Sequence, residues 1–304
     1  MQQLLKKHPL ILMEAAIVEQ LRRSEDIQLH DRLVNAPLVY QGAGRTALGS
    51  LYQAYIDIAI EAGLPFMMCT PTWRANRERV FESAFSQNIN IDVTHFMRQL
   101  RAKNVDQQGM IKIGGMIGCK NDCYLPDQAL SAKEAEQFHT WQIEQLVQGG
   151  VDFLIAETLP NVGEAAGIAR AMEKTCLPYV ISFVISRDGH VLDGTPLSEA
   201  IDIVDTNSER KPLGFMVNCA YPAFLCAEKQ PEKLYDRLIG YLANASSLDH
   251  CDLDNAEQLH VETVSEWGDL MLELNRSYGV KVLGGCCGTG HEHLRYIVKQ
   301  ERPE

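Results

Sequence analysis

A chain of 304 residues, 46% hydrophobic and 22% charged, has the make-up of a globular protein and is long enough to bury a sizeable core without disulfides. Its formal net charge of −12 argues against a nucleic-acid partner, while small cationic substrates would not be repelled. No window reaches the ~20 apolar residues of a membrane span, and the opening MQQLLKKHPLILMEAA lacks a secretory signal's apolar core, so a reducing cytoplasm is the expected setting.

Short apolar runs alternate with longer amphipathic ones along the chain. The first candidate strand, Leu10–Glu14, is followed by no glycine-rich phosphate loop, which weakens a nucleotide-binding reading. Leu64–Thr70 and Ile111–Gly118 come next. A helix is predicted over Ser131–Gly149, opened by a Ser131/Glu134 capping box and stopped by Gly149-Gly150. Strand Val151–Thr158, helix Asn161–Lys174 and strand Pro178–Ile185 follow, then a turn at Asp188-Gly189 and helix Ser198–Asp205. Leu213–Ala220, a weaker Ile239–Asn244, helix Val261–Tyr278 and strand Val280–Cys287 complete the series. Most of the eight runs are continuously apolar, as parallel strands covered on both faces are. The fold class is therefore α/β, a (β/α)8 TIM barrel in one domain spanning residues 1–304; an open doubly wound sheet shares the same alternation.

Barrel chemistry sits at the C-terminal ends of the strands. Here those ends carry Glu14, Cys69-Thr70, Glu157-Thr158, Asn218-Cys219 and Gly284-Gly285-Cys286-Cys287-Gly288. In a closed barrel they converge on one mouth.

Nine cysteines are scattered along the chain, and in a reducing setting paired ones read as metal ligands or nucleophiles before disulfides. Adjacent Cys286 and Cys287 are too close in sequence for a relaxed mutual disulfide, and the glycines around them let both sulfurs turn toward one point. They read as zinc ligands or as a buried pair of small apolar side chains. With a metal, Cys219 is the best-placed third ligand. Three thiolates and an open position make a poor activator of water and a good holder of a further thiolate, which points to alkyl transfer onto sulfur.

At these residues the chain resembles the homocysteine S-methyltransferase family. The resemblance is carried by GGCCGTGHEHLRYI at 284–297, GFMVNCAYP at 214–222, VDFLIAETLPN at 151–161, SFVISRDGHVLDGTPLSEA at 182–200 and HTWQIEQLVQGGVD at 139–152. It implies a zinc enzyme on an α/β barrel, with Cys219, Cys286 and Cys287 as Zn2+ ligands and Glu157 on the amino group of homocysteine. Glu14 would help hold that amino group, with Thr70 or backbone amides near the carboxylate. The partners expected are small molecules: homocysteine and a small onium donor such as S-methylmethionine, S-adenosylmethionine or a betaine.

The chain also departs from the family pattern. The family's opening Asp-Gly-Gly is Glu14-Ala15-Ala16 here, Arg74 stands where some members have tyrosine or asparagine, and Gly118-Cys119 replaces glycine-proline. Those departures keep two alternatives open: a zinc-thiolate methyltransferase acting on another thiol or selenol, and a non-catalytic zinc-binding module. Arg74 is free to pair with a carboxylate. Cys119 and Cys123 read as plain loop thiols, His139 as a packing histidine, and His291 and His293 as solvent-facing. Asn244 reads as a substrate contact or a turn residue, and Trp73 and Tyr221 as candidates for an aromatic cage around an onium donor.

Overall fold

The computed structural model describes residues 1–248 and 262–301. Eight parallel strands pair in sequence order and close into a barrel: β1 (Ile11–Met13), β2 (Phe66–Cys69), β3 (Ile111–Gly118), β4 (Phe153–Leu159), β5 (Tyr179–Phe183), β6 (Gly214–Ala220), β7 (Leu238–Ala243) and β8 (Val282–Gly285). Each lies within or at the edge of a predicted run, and β1 pairs with β8 through Ile11 and Val282. Closure thus settles the choice against an open sheet.

The pleat divides each strand between two cores. Ile11, Met13, Met67, Cys69, Phe153, Ile155, Val180, Met216, Leu242 and Val282 form one buried cluster inside the barrel. The residues between them, including Leu12, Phe66, Met68, Leu154, Ile181, Val217 and Leu283, face the surrounding helices. Leu4 and Leu5 of the short helix α1 (Gln2–Lys7) join the inner cluster, and Lys281 Nζ donates to Leu5 O at 2.9 Å.

The outer layer contains α2 (Val18–Arg22), α3 (Gly42–Ala62), α4 (Arg77–Phe81), α5 (Ile89–Ala102), α6 (Ala132–Gly149), α7 (Val162–Glu173), α8 (Leu197–Thr206), α9 (Val264–Tyr278) and α10 (His291–Glu301). Both sides of the Ser131/Glu134 capping box form, and Gly150 ends α6 in the left-handed conformation with φ 89°. The predicted helix Val261–Tyr278 begins at Val264 behind a second capping box from Thr263 and Glu266; Val261 itself lies outside the described residues. The regular alternation fails once. Between β6 and β7 the chain makes only the 3-10 turns Pro222–Leu225, Ala227–Lys229 and Glu232–Leu234, in a segment where Pro222 and Pro231 interrupt any longer helix. No helix among the described residues is long and apolar enough to cross a membrane.

Candidate metal and substrate site

Period-two alternation places Glu157 inside the barrel. Phe153, Ile155 and Glu157 follow one another along the inner face of β4, just as Met67 leads to Cys69 on β2. Glu14, one residue beyond β1, completes a buried group with them; Glu14 is 5% and Glu157 7% exposed. The Cys69 N–H donates to Glu14 Oε1 at 2.9 Å, and the Cys69 thiol lies 3.6 Å from Glu157 Oε1. Glu14 Oε2 is buried with no hydrogen-bond partner among the described residues.

Burial, and then the neighbouring Glu157, push the Glu14 carboxyl up to about 8. Burial pushes Glu157 up to about 7, against the opposing pull of its hydrogen bond with Cys69. The Cys69 thiol is raised well above its usual range by burial and then by the two acids. Two carboxyls in one dry pocket, with no cationic side chain paired to either among the described residues, are poised to accept a cation.

Across the mouth, the same alternation would point Cys219 outward, because Met216 and Asn218 occupy the inward phase of β6. The register of β6 against β7 shifts between Asn218 and Ala220, and Cys219 takes φ 55°. A bulge of this kind re-aims a side chain at a cost of about 1–2 kcal/mol for a non-glycine residue. It brings Cys219 Sγ to 2.6 Å from Cys286 Sγ, and the sulfurs of Cys219, Cys286 and Cys287 all lie within 4.8 Å of one another.

The turn after β8 is held from three sides. Cys286 N donates to Ala243 O at 2.7 Å, Cys287 N to Asn244 Oδ1 at 3.1 Å, and Gly288 N to Glu19 Oε2. Asn244 is thereby a backbone anchor for the cysteine pair. Only Gly288 of the flanking glycines needs a left-handed conformation, with φ 80°. Gly285 serves close packing, since a Cβ there would meet Thr289 Oγ1 at 2.1 Å.

Three sulfurs this close cannot all ionise unaided. Hydrogen bonds from Cys219 and then Cys286 hold Cys287 well below the usual thiol range, while Cys286 is pushed well above it by Cys219, Cys287 and burial. A cation among them would remove that conflict, and soft thiolates suit zinc. Thiolates about 2.3 Å from one ion lie somewhat under 4 Å apart, within the 4.8 Å bound on the cluster, and Cys219 and Cys286 would part from 2.6 Å to reach it. The donor set therefore fits a metal.

Several expectations need correcting. Thr70 is fully buried, and its hydroxyl accepts from Met116 N at 2.9 Å and bonds Thr72 Oγ1 at 2.7 Å, so the structure shows it latching β2 to β3. Arg74 pairs with no carboxylate among the described residues. It donates to Cys119 O at 3.2 Å and Asn121 O at 2.5 Å and lies 4.0 Å above the Trp73 ring, occupying a face that a donor cation would need. Tyr221 is 7% exposed and packs edge-on against Phe224. His293 is buried rather than solvent-facing, set at right angles to Trp267 with ring centroids 4.9 Å apart.

Other readings hold. His139 is fully buried, with Nε2 3.1 Å from Glu164 Oε1, as a packing histidine. Cys119 and Cys123 are buried loop thiols, each pushed up to about 12, chiefly by burial. That same loop carries Tyr124, which sequence reasoning misses. Its phenol is pushed well above the ordinary range, by Cys219 first and then by burial and Cys287. Cys69, buried between the two acids, is placed at the mouth by sequence as a strand-end residue but is given no role there. No spacing marks Tyr124, and the hydrogen-bonding of Cys69 between the acids emerges only in the folded barrel.

The sequence profile described as homocysteine S-methyltransferase matches residues 11–300. The Bacillus subtilis (strain 168) homocysteine S-methyltransferase YbgG is 25% identical, over 99% of this chain and 97% of its own length. The Escherichia coli (strain K12) homocysteine S-methyltransferase is 24% identical, over 94% and 93%. Among solved structures, the metallated form of the E. coli homocysteine methyltransferase MmuM superposes with a TM-score of 0.77 at 19% identity, covering 98% of this chain and 99% of that one. With its barrel closed, its three sulfurs gathered and the profile matched almost end to end, the chain belongs to the homocysteine S-methyltransferase family.

Proposed function

We propose that this protein transfers a methyl group from a small sulfonium or quaternary ammonium donor to the sulfur of homocysteine, giving methionine, with zinc held by Cys219, Cys286 and Cys287. The observation that carries this reading is the facing arrangement at one barrel mouth: three clustered sulfurs on β6 and β8, and two buried acids on β1 and β4, one with an oxygen unpartnered among the described residues. When bound, zinc supplies the charge that keeps the acceptor's sulfur deprotonated and nucleophilic at neutral pH. Family membership supports the acceptor, and the existence of a metallated form of E. coli MmuM supports the metal.

The chain's own residues do the positioning. Glu14 and Glu157 receive the α-ammonium group of homocysteine, whose charge draws their protons off by lowering both carboxyls toward the normal range. The Cys69 N–H fixes one oxygen of Glu14, leaving Oε2 for the substrate. With the amino group anchored, the acceptor's sulfur reaches the cysteine side of the mouth. A new bond forms from that sulfur to the methyl carbon as the bond from carbon to the donor's sulfur or nitrogen breaks, and its electron pair leaves with a neutral sulfide or amine. No residue needs to act as general base during transfer, and alignment of the two reactants supplies much of the acceleration.

A panel of thiols and selenols assayed with S-methylmethionine, S-adenosylmethionine and a betaine tests the reading. Homocysteine should be the best acceptor. Preference for another thiol or selenol would reassign the acceptor, and zinc uptake with no turnover of any pair would make the chain a binding module.

A further inference from the structure

Cys219 depends on more than its own backbone. Asn218 is 1% exposed, on the inward phase of β6, and its amide is fully engaged. The backbone N–H of Thr158 can only donate, so the atom 2.8 Å from it is the amide oxygen, Oδ1. Ser182 Oγ on β5 donates to that same oxygen at 2.7 Å. The amide nitrogen must then face the other way. Nδ2 donates to Thr158 Oγ1 at 2.6 Å and to Cys219 Sγ at 3.5 Å. Having accepted from Asn218, the Thr158 hydroxyl directs its own hydrogen to Cys219 Sγ at 3.8 Å.

Thr158 repeats the device of Cys219. It stands one residue past the inward-facing Glu157, takes φ 60°, and sits where the register of β4 against β5 shifts. Two non-glycine residues in left-handed conformations, on strands separated by β5, are joined by one buried amide. Left-handed backbone is disfavoured for both residues, so the surrounding bonds must determine the conformation. Two donors aimed at a single sulfur suit one that carries negative charge, as a metal ligand does.

We propose that Asn218 is a positioning residue for the metal: with Thr158 and Ser182 it holds Cys219 in its left-handed bulge and donates to its sulfur, orienting that sulfur as a ligand. This rests on the metal reading above. The amide's bonds all go to Thr158, Ser182 and Cys219, so its contribution passes through the geometry of Cys219.

The test is competition for Zn2+ between a chromophoric chelator and the reduced full-length protein, with Asn218→Ala and Asn218→Asp beside the unaltered chain. The aspartate variant keeps the acceptor for Thr158 N and Ser182 Oγ, replaces the donor by a charged carboxylate oxygen and draws the Thr158 hydroxyl hydrogen away from the sulfur, so it remains informative where the alanine variant fails to fold. Both should lose about 10- to 100-fold in zinc affinity, the range expected for a partner that orients a ligand. Ser182→Ala loosens the same amide without removing either donor to sulfur, and should stay much closer to the unaltered chain than Asn218→Asp. Unchanged affinity in Asn218→Asp, or an equal loss in Ser182→Ala, would overturn the role given to Asn218. An unaltered chain that takes up no zinc would contradict the metal reading itself.

Discussion

The two sides of the barrel mouth are built in opposite ways. On the acid side, Cys69 and Glu157 simply continue the inward phase of regular strands, with Glu14 just past β1, and the three are buried deep enough for both carboxyls to rise. On the sulfur side regularity is broken at each cysteine: Cys219 sits in a bulge with φ 55°, and Cys286 and Cys287 lie beyond β8 in a turn completed by Gly288. As whole residues the three cysteines also keep some solvent exposure, Cys287 the most. The contrast fits the work proposed for each side. A site for an ammonium group gains from a dry, fixed pocket where charge is poorly screened. A set of ligands that must point at one ion needs directions the pleat does not offer, so backbone strain and anchoring bonds provide them.

The largest expected effect is on the sulfur side. Cys286→Ala or Cys287→Ala should abolish zinc uptake and reduce methyl transfer by on the order of 10³-fold or more. Retention of both in either variant would break the assignment of that side. On the acid side, Glu157→Gln should raise KM for homocysteine about 10- to 100-fold while leaving zinc content intact, since a hydrogen bond to a charged group is worth about 1.5–3 kcal/mol. Loss of zinc in this variant would mean that the two sides are not separable.

Stability against pH sharpens the contrast further. Glu14 and Glu157 titrate at about 8 and about 7 in the folded protein, against an ordinary value of 4.5. Between pH 4.5 and 8 the unfolded chain therefore binds fewer protons than the folded one at these groups. Their contribution to stability is full below about 4.5 and falls as pH rises through 7 to 8. Glu14→Gln should flatten that decline and make the substrate-free protein more stable at about pH 8, by on the order of 1 kcal/mol or more. Thermal unfolding of both proteins from about pH 5 to about pH 8.5 checks this, and an unaltered slope would place the two acids in contact with solvent. The smallest effect concerns the missing glycines of the opening motif. Neither Ala15 nor Ala16 has positive φ, so Ala16→Gly should cost about 0.4–1 kcal/mol of stability and bring no gain in KM.

The fold is largely legible in sequence because parallel strands covered on both faces leave continuous apolar runs. Even the weak seventh run proves to be β7, at Leu238–Ala243. The connection after β6 is not legible, because an alternation extrapolated from its neighbours supplies a helix where the chain makes only 3-10 turns. In the site, Cys286-Cys287 between glycines can be read as a chemical unit. Thr70 cannot be separated from the mouth by sequence, because only the folded structure shows its hydroxyl taken by Met116 N–H and Thr72. Arg74 misleads for a related reason: its guanidinium finds backbone carbonyls of the next loop, and sequence does not reveal carbonyl positions. Cys69 and Tyr124 carry no motif at all.

The metal content of the reduced, unaltered protein tests the central claim most directly. With Cys219, Cys286 and Cys287 confirmed as free thiols, elemental analysis after purification without chelators should find about one zinc per chain. Protein that is folded, reduced at all three cysteines and still free of zinc after incubation with the ion would contradict it.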